Sequence, residues 1–155
     1  MDIYEVLRRD HRRIESLLRD LESANHDEAA LRERTSLFHQ VKALVVAHSE
    51  AEEEVFYTRL RKDESTGDAA REGAVEHGLV GALLETLAEM RPSSKDWAPH
   101  CKVVRELLEH HIEEEEREMF PAAQEVIDED EAERLGERME EKCDELLEEQ
   151  QAEVA

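Results

Sequence analysis

Residues 45–57 read VVAHSEAEEEVFY, and residues 108–121 read LEHHIEEEEREMFP. In the first, Val45, His48, Glu52 and Val55 follow one another by three, four and three residues. In the second, Leu108, His111, Glu115 and Met119 do so by three, four and four. Such steps trace one face of an α-helix, and the apolar members mark it as the inner face. Each stretch thus places an imidazole and a carboxylate where Leu or Val belongs. A buried carboxylate without a partner is costly, so these residues require an explanation beyond packing.

The same register runs outward along the chain. Leu7, Ile14, Leu18 and Leu21 predict a first helix, and Phe38, Val41, Val45 and Val55 a second over about 28–61. Val80, Leu84 and Leu87 predict a third over about 69–90, after a loop at Lys62–Asp68. Pro99 suits the first turn of a fourth helix that ends near Pro121. Leu135, Met139, Cys143 and Leu146 predict a fifth over about 129–150. Helices of this length with short connections give an all-α, up-down-up-down four-helix bundle with a short additional C-terminal helix. The bundle is expected over 1–122, and an acidic amphipathic helix over 123–155 packs on it or extends it.

Two further histidines share the inner register: His11 lies between Leu7 and Ile14, and His77 precedes Val80 by three. The chain also repeats itself. Asp10-His11 is followed by the His48 stretch, and Glu76-His77 by the His111 stretch, so each half is a helical hairpin with one His and then His-x-x-x-Glu. A twofold repeat of ligands points to a pseudo-symmetric pair of ions. Residues i and i+4 lie a turn apart on one helix face and can chelate or straddle adjacent ions. Imidazole and carboxylate without thiolate suit Fe, Mn or Zn. Six ligands leave open positions on two octahedral ions, and open positions on a redox metal imply small-ligand chemistry. The metal-ligand set is therefore His11, His48, Glu52, His77, His111 and Glu115.

Tyr4 and Tyr57 are further candidates, for ligation or for support of the ligands. Tyr4 shares the face of His11 two turns away, whereas Tyr57 parallels Phe120 in the repeat, which favours packing. His110 with Glu114 also forms a His-x-x-x-Glu, but it leaves the core register. Asp10 and Glu76 adjoin ligands in sequence, yet neighbours point about 100° apart on a helix, so a surface role is expected. His26, His39 and His100 are expected at the surface or at helix ends, and Trp97 as an anchor closing the third loop.

Composition narrows the function. The 155 residues carry 42 Asp+Glu against 20 Lys+Arg, a formal charge of −22. That disfavours nucleic acid and anionic membrane surfaces, both of which recruit basic patches. Residues 109–155 hold 20 acids and 4 bases, a solubilising surface that also attracts cations. No run approaches a membrane span, and the N-terminus is charged from residue 2, so a cytoplasmic protein with reduced Cys101 and Cys143 is expected. A monomer or weak homodimer is the expected state.

The pattern H…HxxxE…H…HxxxE, met by the six residues above, resembles the hemerythrin-like, or HHE cation-binding, family. The resemblance spans about residues 4–121 and includes Glu53-Glu-Val-Phe-Tyr57 and Glu116-Arg-Glu-Met-Phe120-Pro121. It implies a non-haem di-iron site with bridging glutamates and an oxo or hydroxo bridge, with Mn or Zn as alternatives. Members bind or react with O2, NO or peroxide, sense iron or oxygen, or assist iron–sulfur repair. Two departures stand out. Gly81 occupies the place of a second third-helix His found in oxygen carriers, and His-x-x-x-Glu replaces their His-x-x-x-x-Asp. One fewer His leaves a more open iron, which favours redox turnover over reversible O2 storage. Catalase-like disproportionation of peroxide is the specific expectation. Sensing, binding or storage of O2, NO or iron without turnover is the alternative.

Overall fold

The computed structural model describes residues 1–154. Among them there is no strand, and helices account for nearly all of the chain. Helix α1 spans Ile3–Asn25. Helix α2 spans Leu31–Glu52 and continues through a π-helical turn, Glu53–Tyr57, into a last turn, Thr58–Leu60. Helix α3 is Glu64–Glu89. Helix α4, Trp97–Glu114, continues through a second π-helical turn, Glu115–Met119, into Phe120–Gln124. Helix α5 is Glu129–Val154. The first four form the expected bundle, and α5 lies across α1 and α2.

Local chemistry sets the helix ends. Asp2 and Glu5 form a capping box, each side chain accepting from the other's backbone N–H at 2.9 Å. The C-terminus of α1 ends beneath the buried guanidinium of Arg34. Arg34 donates to the carbonyls of Ala24 (2.8 Å), Asn25 (3.1 Å), Asp27 (2.8 Å) and Pro92 (3.2 Å). Helix-end carbonyls have no intrahelical donors, so one planar fork closes α1 and both loops at that end. Trp97 is buried there, as expected of an anchor, with its indole N–H on Asn25 at 3.0 Å and its ring edge-on to Phe38.

Three expectations about boundaries change. The loop before α3 is shorter than expected, because Thr66 lies inside the helix and donates its hydroxyl to the Leu60 carbonyl at 2.6 Å. The fourth helix does not stop at Pro121; it runs on to Gln124. The preceding π turn, with Phe120 N–H bonded to the Glu115 carbonyl, already departs from the i→i−4 ladder where proline brings no N–H. The fifth helix is not short. Its 26 residues seat Leu135, Met139, Cys143 and Leu146 in the same core as Ile3, Leu7, Phe56 and Phe120. Gly136 makes that seat possible, since a Cβ there would collide with the backbone of Met1 to Ile3.

The apolar interior is split in two. One cluster contains Leu7, Ala51, Phe56, Ala70 and Phe120, and the other Ile14, Val45, Val80 and Leu108. His11, His48, His77 and His111 fall between them on their own helices, with Glu52 and Glu115, as a buried polar layer.

Candidate metal centre

All six residues expected as ligands meet in that layer, and none exceeds 8% exposure. The two glutamates are each shared. Glu52 reaches His48 Nε2 through Oε2 at 3.7 Å and His77 Nε2 through Oε1 at 3.1 Å. Glu115 reaches His11 Nε2 through Oε1 at 3.2 Å and His111 Nε2 through Oε2 at 3.3 Å. One oxygen of each carboxylate therefore faces the His11–His48 pair and the other faces the His77–His111 pair. The ring centroids within those pairs are 5.1 and 4.7 Å apart. Donor atoms of His11, His48 and Glu52, and those of Glu52, His77 and His111, lie close enough together to hold an ion.

The atoms themselves fit a cation. His11 Nε2, both oxygens of Glu52 and Oε1 of Glu115 are buried with no hydrogen-bond partner. Each such group costs roughly 1–3 kcal/mol, and more when charged, unless something else satisfies it. His77 and His111 bring their Nε2 atoms to 3.1 Å, while the Nδ1 of each faces a carboxylate. Two nitrogen lone pairs aimed at each other repel, and a shared cation or a proton relieves this.

Electrostatics agree. Burial works against charge on His11, but Glu115 and Glu116 outweigh it and lift the pKa to about 9. His77 likewise rises against burial, to about 8, beside Glu52 and Glu53. His111, surrounded by Glu115, Glu52 and Glu76, is pushed up to about 12 despite its burial. Glu115, though buried, stays well below the usual carboxylate range because the imidazoles of His11 and His111 beside it favour its charged form. The layer attracts positive charge, whether as protons or as metal.

Tyr57 belongs to this layer. Its hydroxyl donates to Glu115 Oε2 at 2.6 Å and lies 3.4 Å from His111 Nε2, and its ring stacks on His77 at 7°. Packing alone is therefore the wrong account of Tyr57. The π turn is the reason: hydrogen bonds from i to i−5 bring the residue five on, not four on, over Glu52. The matching π turn brings Phe120 over His11, stacked at 11°. The two halves thus match in geometry and differ by one hydroxyl. Gly73 gives the phenol its room, since a Cβ there would stand 2.5 Å from the Tyr57 oxygen.

Tyr4 does not reach the donor atoms. Its ring packs on Phe56 and Phe120, and its buried hydroxyl has no partner among the described residues. His26, His39 and His110 are exposed, and His100 is half-buried against the Asp96 carbonyl. His110 with Glu114 and Glu76 forms a separate, more exposed cluster of possible ligand atoms. The surface role expected of Asp10 and Glu76 is overturned. Asp10 is buried against His48 at 3.2 Å, and Glu76 sits on His111 at 2.8 Å.

A narrow cleft between α3 and α4, lined by Ala69, Glu72, Glu76, Glu114, Glu118 and Met119, reaches His111 and Glu115. Its volume of about 60 Å³ suits only molecules of a few atoms. The roomier groove of about 370 Å³ beside Leu18, Leu21 and Cys101 touches none of the six.

The Hemerythrin HHE cation binding domain profile matches residues 2–123. A DNA nickase of Nostoc sp. is 31% identical over 122 residues, 79% of this chain and 33% of the nickase. An uncharacterized hemerythrin-like protein of Schizosaccharomyces pombe is 27% identical over 132 residues, 84% of this chain and 63% of the yeast protein. The chain thus spans less than two thirds of either relative. An uncharacterized Mycobacterium tuberculosis protein is 29% identical over 147 residues, 94% of this chain and 88% of its own. Among solved structures, a hemerythrin HHE cation binding domain-containing protein from Mycobacterium kansasii superposes with a TM-score of 0.82. It is 27% identical and covers 96% of this chain and 89% of its own. A bundle split by a His/Glu layer, the match over residues 2–123 and the mycobacterial neighbour agree: this chain belongs to the hemerythrin HHE cation-binding domain family.

Proposed function

We propose that this chain binds two iron ions through His11, His48, Glu52, His77, His111 and Glu115 and disproportionates hydrogen peroxide. The sharing of Glu52 and Glu115 between the two histidine pairs carries the reading, because carboxylates whose two oxygens face different imidazole pairs suit two ions rather than one. Four imidazole nitrogens and two carboxylates would hold such a pair and would leave room on it for a small ligand. A bound iron pair supplies a two-electron redox couple at those positions.

The protein's own part is to admit, orient and exclude. The α3–α4 cleft admits molecules of peroxide size, and its glutamates disfavour anions. Apolar clusters on both sides of the layer keep bulk water out. Tyr57 keeps its proton, because burial and then Glu52 and Glu115 hold its pKa well above the usual phenol value. That proton sits on Oη, bonded to Glu115, where it can move to a departing oxygen and return. The balance is 2 H2O2 → 2 H2O + O2: one peroxide has its O–O bond cleaved and gains two electrons and two protons. The other loses the same number.

The second reading is binding of O2, NO or iron without turnover, which the same six ligands and the small cleft would also serve. The protein should be purified without added metal, its iron per chain determined and its near-UV spectrum recorded before and after peroxide. Two irons, charge-transfer bands and evolved O2 are expected. Bands that respond to O2 or NO with no O2 evolution would favour the second reading, and a metal-free protein with no uptake would end both.

A further inference from the structure

Each of the four central histidines has its outer nitrogen on a carboxylate of another helix. Asp10 of α1 accepts from His48 Nδ1 of α2 at 3.2 Å. Glu53, at the end of α2, accepts from His77 of α3 at 3.0 Å, and Glu76 of α3 accepts from His111 of α4 at 2.8 Å. Glu116, past the end of α4, accepts from His11 of α1 at 2.7 Å, which closes the circle. The chain order explains the pattern. Each carboxylate is the immediate neighbour of an inward ligand, about 100° around its helix, so it faces the seam with the next helix.

We propose that Asp10, Glu53, Glu76 and Glu116 form a closed ring of positioning residues that fixes all four imidazoles with Nε2 inward and favours the more highly charged state of a metal held there. The inference rests on the six-ligand reading above. An Nδ1–H held by a carboxylate leaves the Nε2 lone pair free for metal and makes it more basic. Four anions outside the ligands also stabilise added positive charge inside. Because three links join consecutive helices and the fourth joins α4 back to α1, the ring ties imidazole orientation to closure of the bundle. Its two halves are unequal: Asp10 is paired with Arg9 and Arg13, and Glu116 with Arg12. Among the described residues no Lys or Arg pairs with Glu53 or Glu76, so no fixed cation offsets their charge as it does at Asp10 and Glu116.

Glu53 and Glu76 are therefore the positions to test, and their partial exposure lets variants fold where Asp10 variants could fail. The full chain and its E53Q, E76Q, E53A and E76A variants would be loaded anaerobically with Fe(II). Iron per chain, affinity by chelator competition, reduction potential and thermal melting would then be read. Glutamine keeps an acceptor and removes the charge, so E53Q and E76Q should retain two irons and raise the reduction potential. Alanine also removes the acceptor, and affinity should fall by roughly 10- to 100-fold. Glutamine variants at the wild-type potential would overturn the charge role, and alanine variants at wild-type affinity the positioning role. A wild-type chain that binds no iron would instead refute the underlying six-ligand reading.

Discussion

At the scale of single residues, the four histidines and two glutamates were legible because the three–four stripe of apolar residues defines an inner face and they interrupt it. Their supports were not legible. Asp10, Glu53, Glu76 and Glu116 each lie one position off the stripe, and only the crossing of the next helix shows what they face. Tyr57 was a candidate whose partner could not be read, since α-helical spacing turns it outward and the π turn brings its hydroxyl to Glu115. Removal of its hydroxyl is a clean test: Y57F keeps the ring on His77 but frees Glu115 Oε2. The variant should keep its iron and its fold, show shifted near-UV bands, and lose at least tenfold in O2 evolution from peroxide. Unchanged turnover would exclude the phenol as proton donor. Gly73 is the structural counterpart, and G73A should move the phenol and reproduce part of the Y57F spectrum.

At the scale of elements, the helices and their order follow from periodicity, whereas their junctions depend on contacts between segments distant in sequence. Arg34 illustrates this, being a charged residue in a polar stretch whose four carbonyl partners come from the end of α1 and from two loops. R34A strips the donors from those buried groups and should cost about 2–4 kcal/mol in a urea titration, with little change in iron content. In the acidic C-terminal segment the same periodicity marks Leu135, Met139, Cys143 and Leu146 as an inner face, and they are core residues, with Met139 fully buried. G136V would drive a side chain into the backbone of Met1 to Ile3 and should unseat α5. We expect a melting temperature lower by several degrees and Cys143 opened to thiol reagents. In the native protein burial, then Asp10 and Asp144, push the Cys143 thiol up to about 12, so its reaction should be slow until the helix lifts.

For the whole molecule, the anionic layer makes folding and metal binding respond to pH in opposite senses. Without metal, His11 and His77 hold protons more tightly folded than unfolded, with values of about 9 and about 8 against an ordinary 6.5. Their stabilisation is then complete below about pH 6.5 and is lost as pH rises through 8 to 9. The metal-free protein should lose on the order of a few kcal/mol over that range in denaturant titrations. Metal must displace those protons, so iron affinity should tighten over the same interval. Parallel slopes would mean that the imidazoles are not the groups exchanging protons for metal. The overall charge of −22 bears on none of this directly. Most of the acids are solvated helix surface, and only a small set, Asp10, Glu52 and Glu115, is buried at the histidine layer.

The central claim is a pair of ions held between two histidine pairs by two shared carboxylates. Anomalous diffraction at the iron edge, from crystals of the protein purified as expressed, tests it most directly. Two peaks are predicted, one beside His11 and His48 and one beside His77 and His111, with Glu52 and Glu115 bonded to both. A single peak, no peak, or iron only at the exposed Glu76–His110–Glu114 cluster would contradict it.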